Sequence, residues 1–342
     1  MSKRDIIVIG ASAGGMEALK KLVAQLPDNF LGALFIVWHI SPECRSLLPE
    51  ILARLCPLPV VHATDSEAHK PGHIYVAPPD HHLIVEQGLV RVTRGPKENR
   101  FRPSVDVLFR SAARAYGQRV IGVVLTGALD DGAAGLEAVK QQGGIAMVQD
   151  PFEALYPSMP ISAMKAVAVD YCVPITKLGS LLVSLTNETV EDLGVLPVSD
   201  QMEIEVGIAR EDNALQHGIM TLGEPSPYTC PECHGVLLQL KQGKLLRFRC
   251  HTGHAYSPNA LLAELTKSIE DTLWSTLRGI EESEMLMSHI AQHLHEANDG
   301  DTAELFLQKA NDAKRRADLV RQAVMSHEIL STEKLSSEPK SP

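Results

Sequence analysis

Asp5-Ile6-Ile7-Val8-Ile9-Gly10 is a short buried-strand pattern that passes through a glycine-rich turn directly into the helical stretch Met16–Leu22. An apolar strand running at once into a helix commits a chain to the α/β class, where parallel strands are covered on both faces. Gly10, Gly14 and Gly15 permit the tight turn, and the first N–H groups of a helix are left without intrahelical partners. Ser12 lies in that turn. Three readings are open for it. It is a helix-capping serine, part of a dinucleotide-binding turn, or a nucleophile beside an anion site. The dinucleotide reading fits poorly, because Ser12 stands where the second glycine of G-x-G-x-x-G belongs.

A nucleophile needs a base and an orienting acid, and candidates for both lie at equivalent places. Ala33–Trp38 is a second apolar strand with His39 at its C-terminal end. Arg119–Leu125 is a later one, followed by Thr126-Gly127-Ala128-Leu129-Asp130-Asp131-Gly132. Parallel strands align their C-terminal ends along one edge, so Ser, His and Asp far apart in sequence can converge there.

These residues fall within a longer resemblance. Ile9–Gly15, Val37-Trp38-His39, Pro71–Leu83, Asn99–Phe109, Leu125-Thr126-Gly127 with Asp131-Gly132, Gln149-Asp150 and Met159-Pro160 resemble, in order, the catalytic domain of chemotaxis-type protein-glutamate methylesterases. The resemblance spans residues 1–186 and implies Ser12 as nucleophile, His39 as general base and Asp131, rather than Asp130, as the orienting acid. It further implies removal of methyl esters from glutamates of a methylated chemoreceptor or related sensory protein, with glutamine deamidation as a second activity. No cofactor is expected for catalysis. The N–H groups near Ala13, Gly14 and Ala128 are candidates for an oxyanion site, and His82 falls where the family keeps a histidine near the pocket. Ala13, Trp38 and Ala128-Leu129 depart from the family's usual residues, which bears on pocket shape. The chain opens on the catalytic strand, so the family's N-terminal receiver is expected to be absent, with a separate receiver or methyltransferase as partner.

A net charge of −10 argues against general affinity for nucleic acid. No run of about 18 apolar residues is present to insert in a membrane, and no export leader is apparent. Six cysteines are too few for a disulfide scaffold, which suits a reducing cytoplasm. Three of them form part of a second chemical pattern, Cys230-x₂-Cys233 and Cys250 followed by His251 and His254. Two thiol-bearing turns across a hairpin (strands 237–240 and 245–248, joined by Lys241–Lys244) suit a tetrahedral structural zinc bound by Cys230, Cys233, Cys250 and His254, with His251 the rival fourth ligand. Similar zinc-ribbon-like modules occur appended to some esterases of the resembled family. Cys44, Cys56 and Cys172 lie in apolar stretches and are expected to be buried.

Residues 259–330 repeat apolar side chains at helical spacing. Phe306, Ala310, Ala313, Ala317, Val320 and Val324 form a small-residue seam, with a turn at Asn298–Asp301. A self-contained hairpin and a dimer or receptor-docking coil both fit. The expected fold is a doubly wound, mostly parallel α/β sheet (Rossmann-like), with a small Cys/His zinc module and an α-helical hairpin. The expected divisions are a catalytic domain 1–186, an acidic linker 187–227, a zinc-ribbon-like module 228–258, the hairpin 259–330 and a disordered tail 331–342. An alternative to the enzyme is a non-catalytic signalling adaptor using the same parts for docking.

Overall fold

The structure is a computed structural model that describes residues 2–190, 196–211, 214–240, 245–328 and 330. The turn 241–244 and the tail 331–342 lie outside the described residues. Two compact units are present, Met1–Leu261 and Leu262–Pro342.

In the first unit the elements run β1 (Ser2–Lys3), β2 (Ile6–Ala11), α1 (Gly15–Val23), β3 (Ala33–Trp38), α2 (Leu48–Ala53), β4 (Val60–His62) and β5 (Ile74–Val76). There follow β6 (His82–Glu86), β7 (Leu89–Thr93), α3 (Val105–Tyr116), β8 (Val120–Val124), α4 (Ala133–Gln141), β9 (Ile145–Gln149), α5 (Ser158–Ala166), β10 (Tyr171–Val173) and α6 (Ile175–Asn187). Seven strands pair in parallel in the order β10-β9-β8-β2-β3-β5-β4. The strands are apolar on both sides because both faces are covered. Val8, Phe35 and Val124 pack with Leu108 of α3 and Leu136 of α4, while Ile7, Ile9 and Ile36 pack with Leu19 of α1, Leu52 of α2 and Leu178 of α6. The doubly wound architecture is therefore present. β6 and β7 form a separate antiparallel hairpin with Gly88 in its turn.

The described residues of 187–227 hold regular structure where a linker is expected. After β11 (Thr189–Val190), α7 (Asp200–Glu211) buries Met202, Val206, Ile208 and Ala209. Its Glu205 is 2 % exposed and meets guanidinium groups instead of water. The acidic look of the segment hides this, because one of its charges faces inward.

A four-stranded antiparallel sheet completes the unit, in the order β12 (Gly223–Thr229), β13 (Val236–Leu240), β14 (Phe248–Cys250) and β15 (Ala255–Tyr256). It is tied into the same unit by buried charges. Arg249 of β14, 0 % exposed, bonds Glu98 at 2.6 Å and Glu205 at 3.0 Å, and Arg110 of α3 bonds Glu98 at 2.7 Å. Cys56 is buried as expected, but Cys44, in the connection between β3 and α2, and Cys172, in the middle of the edge strand β10, are exposed.

The second unit contains most of α8 (Pro258–Glu296) and all of α9 (Gly300–Ser326). Asp299 caps α9 by accepting from Thr302 N–H. Ala303, Ala310, Ala313, Ala317 and Val324 are buried along one stripe of α9, and Arg321 pairs with Glu281 of α8. The small-residue seam is thus used within the hairpin. Among the described residues no helix is long and apolar enough to cross a membrane.

Candidate active site and Cys/His centre

The chain order reverses between β2 and β8, which places a crevice at the C-terminal ends of those strands. Ser12 follows β2 there. Its N–H donates to Thr126 O at 3.0 Å, and its carbonyl accepts from Gly15 N–H at 2.9 Å and Trp38 Nε1 at 3.0 Å. The residue before α1 is Gly14, at φ 73°, with no side-chain cap, so Ser12 is not a capping serine. Its hydroxyl makes no hydrogen bond among the described residues. Thr126 secures the turn from the β8 side, its Oγ1 donating toward Ala13 O and Tyr156 O while accepting from Tyr156 N–H. A Cβ on Gly10 would lie 2.2 Å from Val105, so glycine there lets the start of α3 reach the end of β2.

His39 directly follows β3, its N–H bonded to Ala11 O at 3.1 Å. Nε2 donates to Asp131 Oδ2 at 2.9 Å, and Phe101 stacks on the imidazole with centroids 3.7 Å apart. The second ring nitrogen, Nδ1, is buried and has no hydrogen-bond partner. A neutral imidazole that donates through Nε2 carries its lone pair at Nδ1.

Asp131 is 1 % exposed. Besides His39 it accepts from Asn99 Nδ2, Ser104 Oγ and the N–H groups of Val105, Asp106 and Gly132, at 2.7 to 3.2 Å. Burial alone would raise its pKa. Hydrogen bonds and charge from His39, with Asn99 and Val105 N–H, outweigh that and hold the carboxyl below its usual range. The helix end that receives Asp131 is that of α3, not α4, whose start it precedes. Asp106 returns the arrangement, accepting from Gly132 and Gly135 N–H at the start of α4. Each helix is capped by a carboxylate from the other's approach.

Two buried carboxylates so close titrate as a pair. Asp106 is the member that retains a proton, pushed to about 7 by burial and by Asp131, against the opposing pull of Arg247, Arg110 and Gly135 N–H. A carboxyl raised on folding contributes stability that is complete below its unfolded pKa of about 3.9 and is lost as pH rises through the folded value. Unfolding midpoints in urea are therefore expected to fall between about pH 4 and pH 7, a slope that Asp106→Asn should flatten. An unchanged slope in the variant would assign it to other groups.

The residues that sequence names as candidate oxyanion donors follow β2 and β8. Ala13, Gly14 and Ala128 are half-buried, and their N–H groups have no partner among the described residues. His82 is a correction. It is 0 % exposed, donates from Nε2 to Pro96 O at 2.9 Å and accepts Ser104 N–H at Nδ1, at 3.3 Å. Burial lowers its pKa to about 4, so it is a neutral support for the start of α3 and offers nothing to a ligand. The reason is its place in the β6–β7 hairpin, packed behind α3. His39 Nε2 bonds Asp131, while Asp130 accepts from Ser257 Oγ and Asn259 Nδ2. Asn99, Phe101 and Thr126 were not singled out from sequence. All three lie within the stretches that carried the resemblance, and only tertiary contact shows what they touch.

Cys230, Cys233, Cys250 and His254 bring their donor atoms within 4.8 Å of one another, the single such group among the described residues. Cys233 Sγ and Cys250 Sγ are 3.6 Å apart, and His254 Nδ1 is 3.5 Å from Cys250 Sγ and 3.8 Å from Cys230 Sγ. Those separations match the edges, about 3.7 Å, of a tetrahedron with metal–sulfur arms of about 2.3 Å. Thr252 Oγ1 donates to Cys233 Sγ at 3.1 Å. His251 is exposed and outside the group. The donor set fits a divalent zinc-type ion.

Residues 7–182 match the family model described as CheB methylesterase. A relative from Leptospira interrogans, named a putative protein-glutamate methylesterase/protein-glutamine glutaminase, is 41 % identical over 188 residues, covering 55 % of this chain and 97 % of that one. The chain belongs to the CheB methylesterase family. A Photorhabdus laumondii protein-glutamate methylesterase/protein-glutamine glutaminase is 39 % identical, covering 54 % of this chain and 53 % of its own length. The crystal structure of the Thermotoga maritima CheB methylesterase catalytic domain superposes with a TM-score of 0.52 at 34 % identity, covering 54 % of this chain and all of that one. The CheB methylesterase match contains Ser12, His39, Asn99 and Asp131, and stops before the Cys/His centre.

Proposed function

We propose that the chain is a protein-glutamate methylesterase in which Ser12 is the nucleophile, His39 the general base and Asp131 the orienting acid. The observation that carries this is the state of His39, bonded through Nε2 to a buried carboxylate with Nδ1 buried and unengaged, at the strand end neighbouring Ser12. The names of the relatives favour the enzyme over a docking adaptor.

Nδ1 takes the Ser12 proton as Oγ attacks the γ-carbonyl carbon of a glutamyl methyl ester. The N–H groups of Ala13, Gly14 and Ala128 face the oxyanion, each such donor being worth about 3 kcal/mol. Collapse breaks the carbonyl–methoxy bond, and the leaving oxygen receives the proton from Nδ1, giving methanol. Water then attacks the acyl carbon as its proton passes to Nδ1; collapse breaks the bond from Oγ to the acyl carbon, Nδ1 returns the proton to Oγ, and glutamate is freed. Asp131 stays ionised throughout and stabilises the imidazolium. Phe152, Leu155 and Tyr156, exposed on the segment beside Gly14, offer apolar surface to a protein substrate of the chemoreceptor type. Glutamine deamidation follows the same steps with ammonia leaving. A separate methyltransferase would supply the ester, and a cytoplasmic setting suits the free thiols. Turnover of a methylated receptor cytoplasmic fragment in ¹⁸O-water tests the route. Label should enter the glutamate carboxylate and leave methanol unlabelled; labelled methanol, or none, would reject it.

We infer that Cys230, Cys233, Cys250 and His254 hold a structural Zn²⁺. Four protein ligands leave no open position, so the ion shapes β12–β15 and contacts neither substrate nor the attacking water. One zinc per chain is expected by elemental analysis, and Cys250→Ser should lose it; equal zinc in both would reject the ligand set.

A further inference from the structure

Asn99 joins the Cys/His sheet to the acid behind His39. It is 5 % exposed and sits at φ 51°. Its N–H donates to Ala255 O at 2.8 Å, and its Oδ1 accepts from Ser257 N–H at 2.9 Å. Its Nδ2 donates to Asp131 Oδ1 at 3.0 Å and Asp106 Oδ2 at 2.8 Å. Ala255 directly follows the ligand His254, and Ser257 lies two residues beyond. Neighbouring contacts run the same way. Glu98 bonds Arg249, the residue before the ligand Cys250, and Asp130 bonds Ser257 Oγ at 2.6 Å.

We propose that the Cys/His centre, when it holds Zn²⁺, acts through Asn99 as a positioning device for Asp131, so that metal loss slows acyl transfer without touching Ser12 or the substrate. The physical reason lies in the amide. Its NH₂ must face two carboxylates, and a flipped amide would turn its oxygen onto both. Ser257 N–H holds Oδ1 and so fixes the orientation. Ala255 O holds the Asn99 backbone in the left-handed conformation that the contact needs. Both groups belong to the β15 segment, which His254 anchors to the metal. Losing the ion frees that segment, and Asn99 with it.

The inference rests on the Ser12–His39–Asp131 reading, and a probe that needs no natural substrate separates the two. A fluorophosphonate label forms its bond to Ser12 Oγ with loss of fluoride, and its rate reports the nucleophile's activation. The full chain is labelled across pH as the Zn²⁺-loaded protein, after chelation, and after Zn²⁺ is returned. Chelation should slow labelling by about 100-fold, the scale of a small misplacement in an active site, and Zn²⁺ should restore it. Asn99→Gly tolerates the backbone angle and keeps every metal ligand. It should be slow with zinc bound, and chelation should then add little. Asn99→Asp, which puts a carboxylate in place of the neutral amide behind the imidazole, should move the acidic limb of the rate profile to higher pH. Where the metal-free chain unfolds, the comparison of zinc-loaded wild type with zinc-loaded Asn99→Gly and Asn99→Asp carries the test, and equal rates and pH profiles there would overturn the proposal. Equal rates before and after chelation, or independent effects of chelation and Asn99→Gly, would overturn the proposal. A loaded wild type that never labels would remove the nucleophile reading itself, and this inference with it.

Discussion

Asp131→Asn is expected to lower kcat by about 10⁴-fold and to leave KM within a few-fold, since only the state of His39 changes. The carboxylate accepts His39 Nε2–H and so leaves the lone pair at Nδ1. An amide can present its NH₂ to Nε2, which reverses the tautomer and puts a proton where the base is needed. The geometry can survive while the chemistry stops. A stability effect accompanies it, because Asn99, Ser104, Val105, Asp106 and Gly132 also donate to this carboxylate. An NH₂ facing those donors leaves buried groups unpaired, at about 1–3 kcal/mol each. Asp131 is held below its usual pKa, so its contribution is present above the unfolded carboxylate value and is lost as pH falls through the folded one. That acid-side loss should be missing in the variant. Steady-state methanol release and urea unfolding between pH 3 and pH 8 measure both effects, the interval being about that of carboxylate and histidine titration. A kcat within tenfold of wild type would refute the orienting role.

Arg249→Ala should destabilise the first unit by about 3–5 kcal/mol, the scale of breaking a buried ion pair from one side. Arg249 bonds Glu98, Glu205 and Gly253 O, and both carboxylates are 2 % exposed. Removing it leaves each with one guanidinium fewer and no route to water. Lysine should not rescue, because one ammonium cannot reproduce the fork that meets three partners. The exposed pair Arg114–Glu203, only 2.7 Å apart, is expected to contribute at most about 1 kcal/mol. Urea midpoints of Arg249→Ala and Arg114→Ala set side by side check the contrast; equal losses would mean that burial does not govern these pairs.

Local signals carried most of the architecture. The apolar runs at Ile6–Ala11, Ala33–Trp38 and Val120–Val124 read as buried strands because both faces of the sheet are covered, and residues at their ends fall on one edge by topology alone. The Cys230–His254 spacing is readable because metal-binding sets of this type recur at short, fixed intervals. What escaped has no local signature. Glu205 looks like one more charge in an acidic stretch until Arg247 and Arg249 surround it. Histidine in a motif suggests a ligand, yet His82 is closed off by α3 and Pro96. Asn99 gains its meaning from Ser257, far along the chain, and Asp131 from the start of α3. Such contacts are set by the packing of units that sequence reading had divided as catalytic domain, linker and module.

The most direct test is methanol release from a methylated receptor cytoplasmic fragment by the wild type and by Ser12→Ala, matched for zinc content. The account predicts release by the wild type and its collapse in the variant by several orders of magnitude, up to about 10⁶-fold, with the fragment still bound. Release by Ser12→Ala within a few-fold of wild type would contradict it.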